Sequence, residues 1–201
     1  MRWTRTWLAL GDSYTVGEGV PLYDSYPYQA LRILRRMGED WSAPEIVAKT
    51  GWTTDELAAG IASAQLMARY DLVTLLIGVN NQYRARGAEE YERQFSSLLQ
   101  TAVERAGYEK GHVIVLSIPD WGVTPFAAER DGKKIAAEID AFNAVNRSVS
   151  QRVGVAWIDV TASTRSAKGD KSRVASDGLH PSGLEYAIWA EVLAQRVAAI
   201  R

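Results

Sequence analysis

The sequence predicts an α/β protein in which five parallel strands form one sheet with helices on both faces. Short apolar runs alternate along the chain with segments whose apolar residues recur at helical spacing, a pattern typical of a parallel sheet with helical crossovers. The 201 residues, 47% of them hydrophobic, suffice for one well-buried core but hardly for two. We therefore expect a single domain over residues 1–201.

The strands are predicted from apolar runs that stop at turn residues. The first is Leu8–Leu10, which ends at Gly11. The others are predicted at residues 45–49, 72–77, 112–118 and 153–160. The run at 72–77 is almost continuously apolar, as expected of a central parallel strand covered on both faces.

Between the strands, apolar residues at helical spacing predict five helices. Their apolar faces are Leu31, Leu34 and Met37; Leu57, Ile61, Ala64 and Met67; Tyr91, Phe95, Leu98, Leu99 and Val103; Ile135, Ile139, Phe142 and Val149; and Tyr186, Trp189, Leu193 and Val197. Thr53 and Glu56 have the spacing of a capping box, and we expect their helix to continue to Tyr70. Residues 14–28 are predicted to be a loop because they contain two glycines and two prolines, and the polar residues 161–176 a mobile surface loop.

Composition excludes several classes of function. The net charge of −1 gives no general attraction to nucleic acid or to an anionic membrane surface. The chain has no cysteine, which excludes disulfides, thiolate zinc sites and cysteine nucleophiles. Any catalysis must come from Ser, His, Asp or Glu side chains, and we expect neither a metal nor another cofactor.

The first apolar run indicates whether the chain begins with a cleavable export signal. It leads directly to Ser13, so cleaving it as a signal peptide would remove the candidate site. No run approaches the length of a membrane span. We expect a cytoplasmic protein, with a trimmed export signal as the alternative. The oligomeric state is left open.

Ser13 is the candidate nucleophile because it lies just past the carboxyl end of the first strand, where the loops of a parallel sheet open on one rim. The alternative is that Gly-Asp-Ser is only a turn. A serine needs a base, and the chain has two histidines. His112 begins a strand away from the rim and is expected on the surface, whereas His180 lies in a loop that reaches the rim. Asp177, three residues before His180, can orient the imidazole or can cap the last helix.

Acyl transfer also needs donors for a developing oxyanion. The candidates are the backbone N–H groups of Ser13 and Gly51 and the side-chain amide of Asn80. A glycine at position 51 lets the backbone approach the oxygen closely. The alternatives are a plain strand-end turn at Gly51 and an Asx turn at Asn80.

Four segments of the chain resemble, in order and spacing, the four sequence blocks of the SGNH (GDSL) hydrolase superfamily. They are Gly11-Asp12-Ser13, Gly51, Gly78-Val79-Asn80 and Asp177-Gly178-Leu179-His180. The resemblance implies a flavodoxin-like three-layer α/β/α sandwich with strand order 2-1-3-4-5, a Ser13–His180–Asp177 triad, and hydrolysis of esters or thioesters. Two positions depart from the family pattern: Tyr14 replaces the usual Leu, and Asn81 the usual Asp.

The predicted function is that of a serine hydrolase that cleaves carboxylic esters through an acyl-enzyme on Ser13. The substrate is expected to be a short-chain acyl ester or an O-acetyl ester of a small molecule or sugar. Trp52, Trp121 and Phe126 lie in rim loops and can line its pocket or serve as packing anchors. A thioesterase or acyltransferase with the same triad is one alternative, and a non-catalytic ligand-binding module on the same fold is another.

Overall fold

The computed structural model of the chain describes residues 4–200. Five parallel strands form one sheet in the order β2-β1-β3-β4-β5. The strands are β1 (Trp7–Gly11), β2 (Glu45–Ala48), β3 (Leu72–Leu76), β4 (Val113–Leu116) and β5 (Ala156–Ile158). The predicted sheet order, 2-1-3-4-5, is therefore confirmed.

Helices cover both faces of the sheet, as predicted. The helices are α1 (Ser13–Val16), α2 (Tyr26–Arg36), α3 (Thr54–Ser63), α4 (Val79–Tyr83), α5 (Ala88–Arg105), α6 (Gly132–Val153), α7 (Thr161–Ser166) and α8 (Gly183–Ala198). α2 packs against α8, and α5 packs against α3 and α6. The buried apolar residues of the sheet and helices form one continuous cluster.

The position of β1 determines where the site forms. β1 lies between β2 and β3, and all five of its residues are buried. Its last residue, Gly11, pairs with Ala48 of β2 and Leu76 of β3, so the carboxyl ends of the three strands are level. A Cβ at Gly11 would lie 2.5 Å from the carbonyl oxygen of Leu76 and 2.1 Å from Oγ1 of Thr15. Only glycine fits at this junction.

The prediction of a loop over residues 14–28 is wrong. The segment contains α1, a 3₁₀ turn at Leu22–Asp24, and the start of α2 at Tyr26. Pro27 does not break α2 because it lies in the first turn, where a backbone N–H has no intrahelical partner to lose. Gly17, at φ +82°, ends α1 in the left-handed conformation.

Helix α3 is shorter than predicted. Its capping box at Thr53 and Glu56 is present, but α3 ends at Ser63 instead of continuing to Tyr70. The N–H of Met67 donates to the hydroxyl of Tyr70, and the Met67 side chain is exposed. Both observations are incompatible with a helix that buries Met67.

The segment 161–176, predicted to be a mobile loop, is instead structured by α7 and a 3₁₀ turn at Lys171–Arg173. Two of its hydroxyls are buried: Oγ1 of Thr161 donates to the carbonyl of Ile118, and Oγ1 of Thr164 accepts from the N–H of Asp120. A polar composition therefore conceals a helix whose buried side chains are threonines.

The last two strands are also shorter than predicted. β5 begins at Ala156 because α6 continues to Val153, and Gly154 then ends the helix at φ +86°. β4 ends at Leu116. Beyond it, the hydroxyl of Ser117 accepts from the N–H of Val160, and the N–H of Ile118 donates to the side-chain oxygen of Asn143.

Two further observations concern membranes and metals. Across residues 4–200, no helix combines the length and the apolar character needed to cross a bilayer. Over the same residues, no group of three or more His, Asp or Glu side chains is arranged to hold a metal ion.

Candidate active site

Ser13, His180 and Asp177 form a continuous chain of hydrogen bonds. Oγ of Ser13 lies 2.9 Å from Nε2 of His180, and Nδ1 of His180 lies 2.6 Å from Oδ2 of Asp177. Because an ionised carboxylate can only accept, Nδ1 carries the proton and Nε2 accepts from the serine hydroxyl. Ser13 and His180 are buried, with exposed fractions of 4% and 8%. This arrangement can remove a proton from Ser13 and so make it a nucleophile.

Ser13 is fixed by the turn that joins β1 to α1. It is the first residue of α1, and the preceding Asp12 caps this helix by accepting from the N–H of Tyr14 over 3.1 Å. The ring of Tyr14 meets the His180 imidazole edge-on, with 5.4 Å between centroids. The residue after the motif serine therefore packs against His180, a contact that an aromatic ring can make in place of the usual leucine.

The carboxylate of Asp177 is held by its own turn as well as by the imidazole. Its Oδ1 accepts from the N–H groups of Leu179 and His180 over 2.9 and 3.0 Å. The N-cap of α8 is Ser182, so Asp177 does not cap that helix. Partial burial works to raise the pKa of Asp177, but the hydrogen bonds from the His180 ring and from these two N–H groups outweigh it. The pKa therefore lies below its ordinary value, and Asp177 is ionised at neutral pH.

The segment that carries His180, residues 173–182, is here called the histidine loop. The N–H of Ala175 donates to the carbonyl of His180 over 2.7 Å, which closes the loop on itself. Nε of Arg173 donates to Oε2 of Glu185 over 2.6 Å, and Glu185 is only 1% exposed. Glu185 also accepts from the indole N–H of Trp189 over 2.8 Å. A buried ion pair thus anchors the loop to α8. No sequence pattern identifies Arg173 and Glu185, since their 12-residue separation spans a turn and the start of a helix.

Three candidate oxyanion donors face the same space. Among residues 4–200, no acceptor lies within hydrogen-bonding reach of the backbone N–H of Ser13 or of Gly51. Nδ2 of Asn80 donates one hydrogen to the carbonyl of Trp52 over 2.9 Å, which leaves its second hydrogen available. All three residues line one cleft together with His180. Asn80 belongs to α4 and is not part of an Asx turn.

The loop that carries Gly51 is held by α4 and the residue that follows it. Residues 50–54 are here called the oxyanion loop. Asn81 accepts from the N–H of Thr54 over 3.1 Å and donates to its Oγ1 over 2.7 Å. Nη2 of Arg84 donates to the carbonyl of Gly51 over 2.7 Å. In this pairing the Asn81 amide both accepts and donates, whereas an ionised aspartate could only accept. These contacts have no sequence signature, because α4 is only five residues long and shows no helical repeat of apolar residues.

The cleft has a volume of about 240 Å³ and is mostly apolar. Its lining residues are Ser13, Tyr14, Thr50, Gly51, Val79, Asn80, Tyr83, Trp121, Phe126, Leu179 and His180. Trp121 and Phe126 therefore lie where a substrate pocket was predicted. Trp52 does not line the cleft, because its ring packs on Gly60, where a Cβ would approach the ring to 2.2 Å. His112 lies at the opposite, amino-terminal end of β4, away from the cleft.

Asp12 is the most unusual titratable group near Ser13. It is fully buried, and burial raises its pKa to about 7 from an ordinary value of 3.8. Its Oδ1 caps α1, but among residues 4–200 its Oδ2 has no hydrogen-bond partner. An ionised carboxylate is costly in such a place. The raised pKa therefore places the charge change of Asp12, the residue next to Ser13, near neutral pH.

The chain was compared with known proteins. A profile of the GDSL-like Lipase/Acylhydrolase family matches residues 9–188. Among solved structures, a lipase/acylhydrolase from Enterococcus faecalis is similar at 22% identity and a TM-score of 0.73, over 96% of this chain and 95% of that one. TesA is similar at 20% identity and a TM-score of 0.76, over 98% of this chain and 100% of the TesA chain. A variant of Axe2, an acetyl xylan esterase from Geobacillus stearothermophilus, is similar at 19% identity and a TM-score of 0.73, over 98% of this chain and 95% of the Axe2 chain.

At these identities the solved structures show a shared fold. None of the curated proteins compared with the chain matches it in sequence. The family match covers nearly the whole chain and includes all four motif segments. The chain therefore belongs to the GDSL-like lipase/acylhydrolase family, within the SGNH hydrolase superfamily, and is a carboxylic ester hydrolase of that type.

Proposed function

We propose that the protein hydrolyses short-chain or O-acetyl esters of small molecules or sugars through an acyl-enzyme on Ser13. The observation that carries this proposal is the unbroken chain of hydrogen bonds from Oγ of Ser13 through His180 to Asp177, at 2.9 and 2.6 Å. The chain opens into a cleft next to three candidate oxyanion donors.

In the acylation step, Oγ of Ser13 attacks the ester carbonyl carbon while its proton moves to Nε2 of His180. The ionised Asp177 stabilises the imidazolium that forms. The carbonyl oxygen becomes an oxyanion, which accepts from the N–H of Ser13, the N–H of Gly51 and the free amide hydrogen of Asn80. Because these donors are in place before the reaction, they favour the transition state over the ground state.

The tetrahedral intermediate collapses when the C–O bond to the alcohol breaks. Nε2 of His180 returns its proton to the departing alkoxide, and the acyl group remains on Ser13 as an ester. A water molecule then attacks this ester, again losing its proton to Nε2. The second collapse releases the carboxylic acid and restores the Ser13 hydroxyl.

The size of the cleft supports a short acyl chain. Its volume of about 240 Å³ is below the range of roughly 300–1,000 Å³ typical of pockets for drug-sized ligands. The aromatic residues Trp121, Phe126 and Tyr83 give the cleft an apolar surface against which a sugar ring can pack. Axe2 is an acetyl xylan esterase, and its similar fold makes acetylated sugars a natural class to test.

A fluorophosphonate probe tests the nucleophile. We expect covalent labelling of the intact protein at Ser13, located by peptide mass spectrometry, and no labelling of the Ser13→Ala variant. Labelling that persists in Ser13→Ala, or an absence of labelling in the folded wild type, would contradict the proposal.

A substrate panel tests the acyl group and the acceptor. We expect p-nitrophenyl acetate and butyrate to be hydrolysed faster than the decanoate, with acetylated sugars measured alongside. Acyl thioesters are included to test the thioesterase alternative. Product analysis in the presence of an added alcohol separates hydrolysis from acyl transfer, since only an acyltransferase produces a new ester in quantity.

A further inference from the structure

Arg130 lies over three aromatic rings of the cleft. Its guanidinium carbon is 5.2 Å from the ring centroid of Tyr83, 5.4 Å from that of Trp121 and 5.3 Å from that of Phe126. Its Nη2 also donates to the hydroxyl of Tyr83 over 3.1 Å. The side chain is thus held in place by cation–π contacts and one hydrogen bond, at the wall of the proposed acyl-transfer site.

Arg130 also lines a second cavity, of about 420 Å³, here called the basic groove. The other charged residues of the basic groove are Lys168, Lys171 and Asp170. Across residues 4–200, none of the three cations has a carboxylate within 4.0 Å. The carboxylate of Asp170 instead accepts from the N–H and the hydroxyl of Ser172 in its own turn. The groove therefore has an excess of unpaired positive charge.

Residues 121–127, here called the wall, lie between the cleft and the basic groove, because members of this segment line each of the two cavities. The rings of Trp121 and Phe126 face the cleft, while residues 122–125 and Ala127 line the groove. The wall adjoins the histidine loop, because the N–H of Phe126 donates to the carbonyl of Gly178 over 2.9 Å. A ligand that crosses the edge of this wall occupies both cavities.

The position of the wall determines which part of a substrate would enter the groove. In acyl transfer, the histidine that takes the serine proton returns it to the leaving alcohol, so the alcohol part lies on the side of His180. The basic groove adjoins the loop that carries His180, because Val174 of that loop lines the groove and the N–H of Phe126 in the wall donates to the carbonyl of Gly178.

Resting on the proposed function, we propose that the basic groove binds an anionic group, a phosphate or a carboxylate, carried by the alcohol part of the ester. Arg130 offers a planar fork of donors that matches either oxyanion, and Lys168 and Lys171 add two mobile positive charges. The aromatic contacts fix the guanidinium in advance, so little side-chain entropy is lost when the anion binds.

The test compares matched acetate esters whose alcohol parts differ only in charge. One pair is 4-acetoxyphenyl phosphate and its neutral dimethyl ester, and the other is 3-(4-acetoxyphenyl)propanoate and its neutral amide. The readout is the ratio of kcat/KM for the anionic ester to kcat/KM for its neutral partner. The two pairs distinguish phosphate from carboxylate as the preferred anion.

We expect Arg130→Gln to lower this ratio about threefold, and Arg130→Gln combined with Lys168→Gln and Lys171→Gln to lower it on the order of tenfold, mainly through KM. The wild-type ratio should also fall as salt rises from about 0.02 to 0.5 M, since exposed charges are screened. The control is Lys133→Gln, an exposed lysine of α6 outside the groove, which should leave the ratio unchanged.

The outcomes separate the two proposals. If both esters are hydrolysed but no groove variant moves the ratio more than Lys133→Gln does, the groove has no role in recognition and the inference is overturned. If neither ester is hydrolysed and Ser13 is not labelled by a fluorophosphonate, the proposed function fails and the inference fails with it. The double variant Lys168→Gln/Lys171→Gln provides the same readout should the triple variant not fold.

Discussion

The oxyanion loop and the histidine loop meet at Ser13 but are held in different ways. The oxyanion loop is held by neutral amides and by Arg84, whose side chain is 43% exposed. The histidine loop is held by the ion pair of Arg173 with Glu185, which is almost fully buried. An exposed hydrogen bond can be replaced by water at little cost, whereas a buried charge cannot. We therefore expect the histidine loop to control stability and the oxyanion loop to control rate.

The largest effect is expected at Glu185. Removing one partner of a buried ion pair typically costs about 3–5 kcal/mol because it leaves the other charge uncompensated. We expect Glu185→Ala to lower the free energy of unfolding by this amount in urea titrations, and to lower kcat because Arg173 no longer anchors the His180 segment. Glu191→Ala, an exposed position on the same helix, is the control and should change neither quantity appreciably. Equal free energies of unfolding for Glu185→Ala and Glu191→Ala would show that the histidine loop does not control stability.

Asp12 belongs to neither loop, since it lies between β1 and α1. Its ionisation shows how the end of β1 affects the free energy of unfolding. Its raised pKa of about 7 means that the folded state holds a proton that the unfolded state has already lost above pH 3.8. Stability is therefore greatest below about pH 4 with respect to this group, and falls as the pH rises to about 7, by on the order of 4 kcal/mol.

The variant Asp12→Asn tests this pH dependence. Asparagine can still cap α1 but cannot ionise, so the fall between pH 4 and pH 7 should be absent from its urea unfolding curves. At each pH, the free energy of unfolding of the variant is subtracted from that of the wild type. A difference that changes with pH reports the ionisation of Asp12, whereas a constant difference reflects packing alone. Parallel curves across this range would show that Asp12 is not the buried acid described here.

Asn80 tests the rate side of the comparison. Loss of one oxyanion donor costs roughly 2.7–4 kcal/mol of transition-state stabilisation in comparable sites, so Asn80→Ala should lower kcat by about 10²–10³-fold. Its free energy of unfolding should fall by only about 1 kcal/mol, the worth of the bond to the Trp52 carbonyl. A variant that retains full kcat would assign Asn80 a purely structural role.

The smallest effect is expected at Arg84, which acts on Gly51 through its carbonyl. We expect Arg84→Ala to lower kcat about fivefold, a cost of about 1 kcal/mol, with KM little changed. Arg84→Lys should recover part of the loss because it retains a donor, and Arg36→Ala, an exposed arginine of α2, is the control. A change confined to KM would indicate that Arg84 contacts substrate instead of positioning the oxyanion loop.

Much of the fold could be predicted from the sequence because its strands are apolar runs bounded by turn residues. The continuous run at 72–77 and the run at Leu8–Leu10 are buried strands, as predicted. The errors arose where local composition misleads. The prolines and glycines of 14–28 suggested a loop, yet Pro27 starts a helix. The polar run 161–176 suggested a mobile surface, yet its threonines are buried.

The candidate site divides in a similar way. Ser13, Gly51, Asn80, Asp177 and His180 each stand beside a recognisable strand end or turn, so the sequence points to them. The residues that hold them in place were not predicted. Asn81, Arg84, Arg173 and Glu185 act over contacts between separate elements, and single-sequence patterns contain no information on such pairs.

The separation between Ser13 and His180, 167 residues, has a consequence for biosynthesis. Ser13 is made early and the histidine late, and the ion pair that anchors His180 uses Glu185 of α8. A growing chain has to complete α8 and dock it on α2 before the base can reach the serine. On the proposed function, we therefore expect hydrolysis to begin only once α8 has packed against α2.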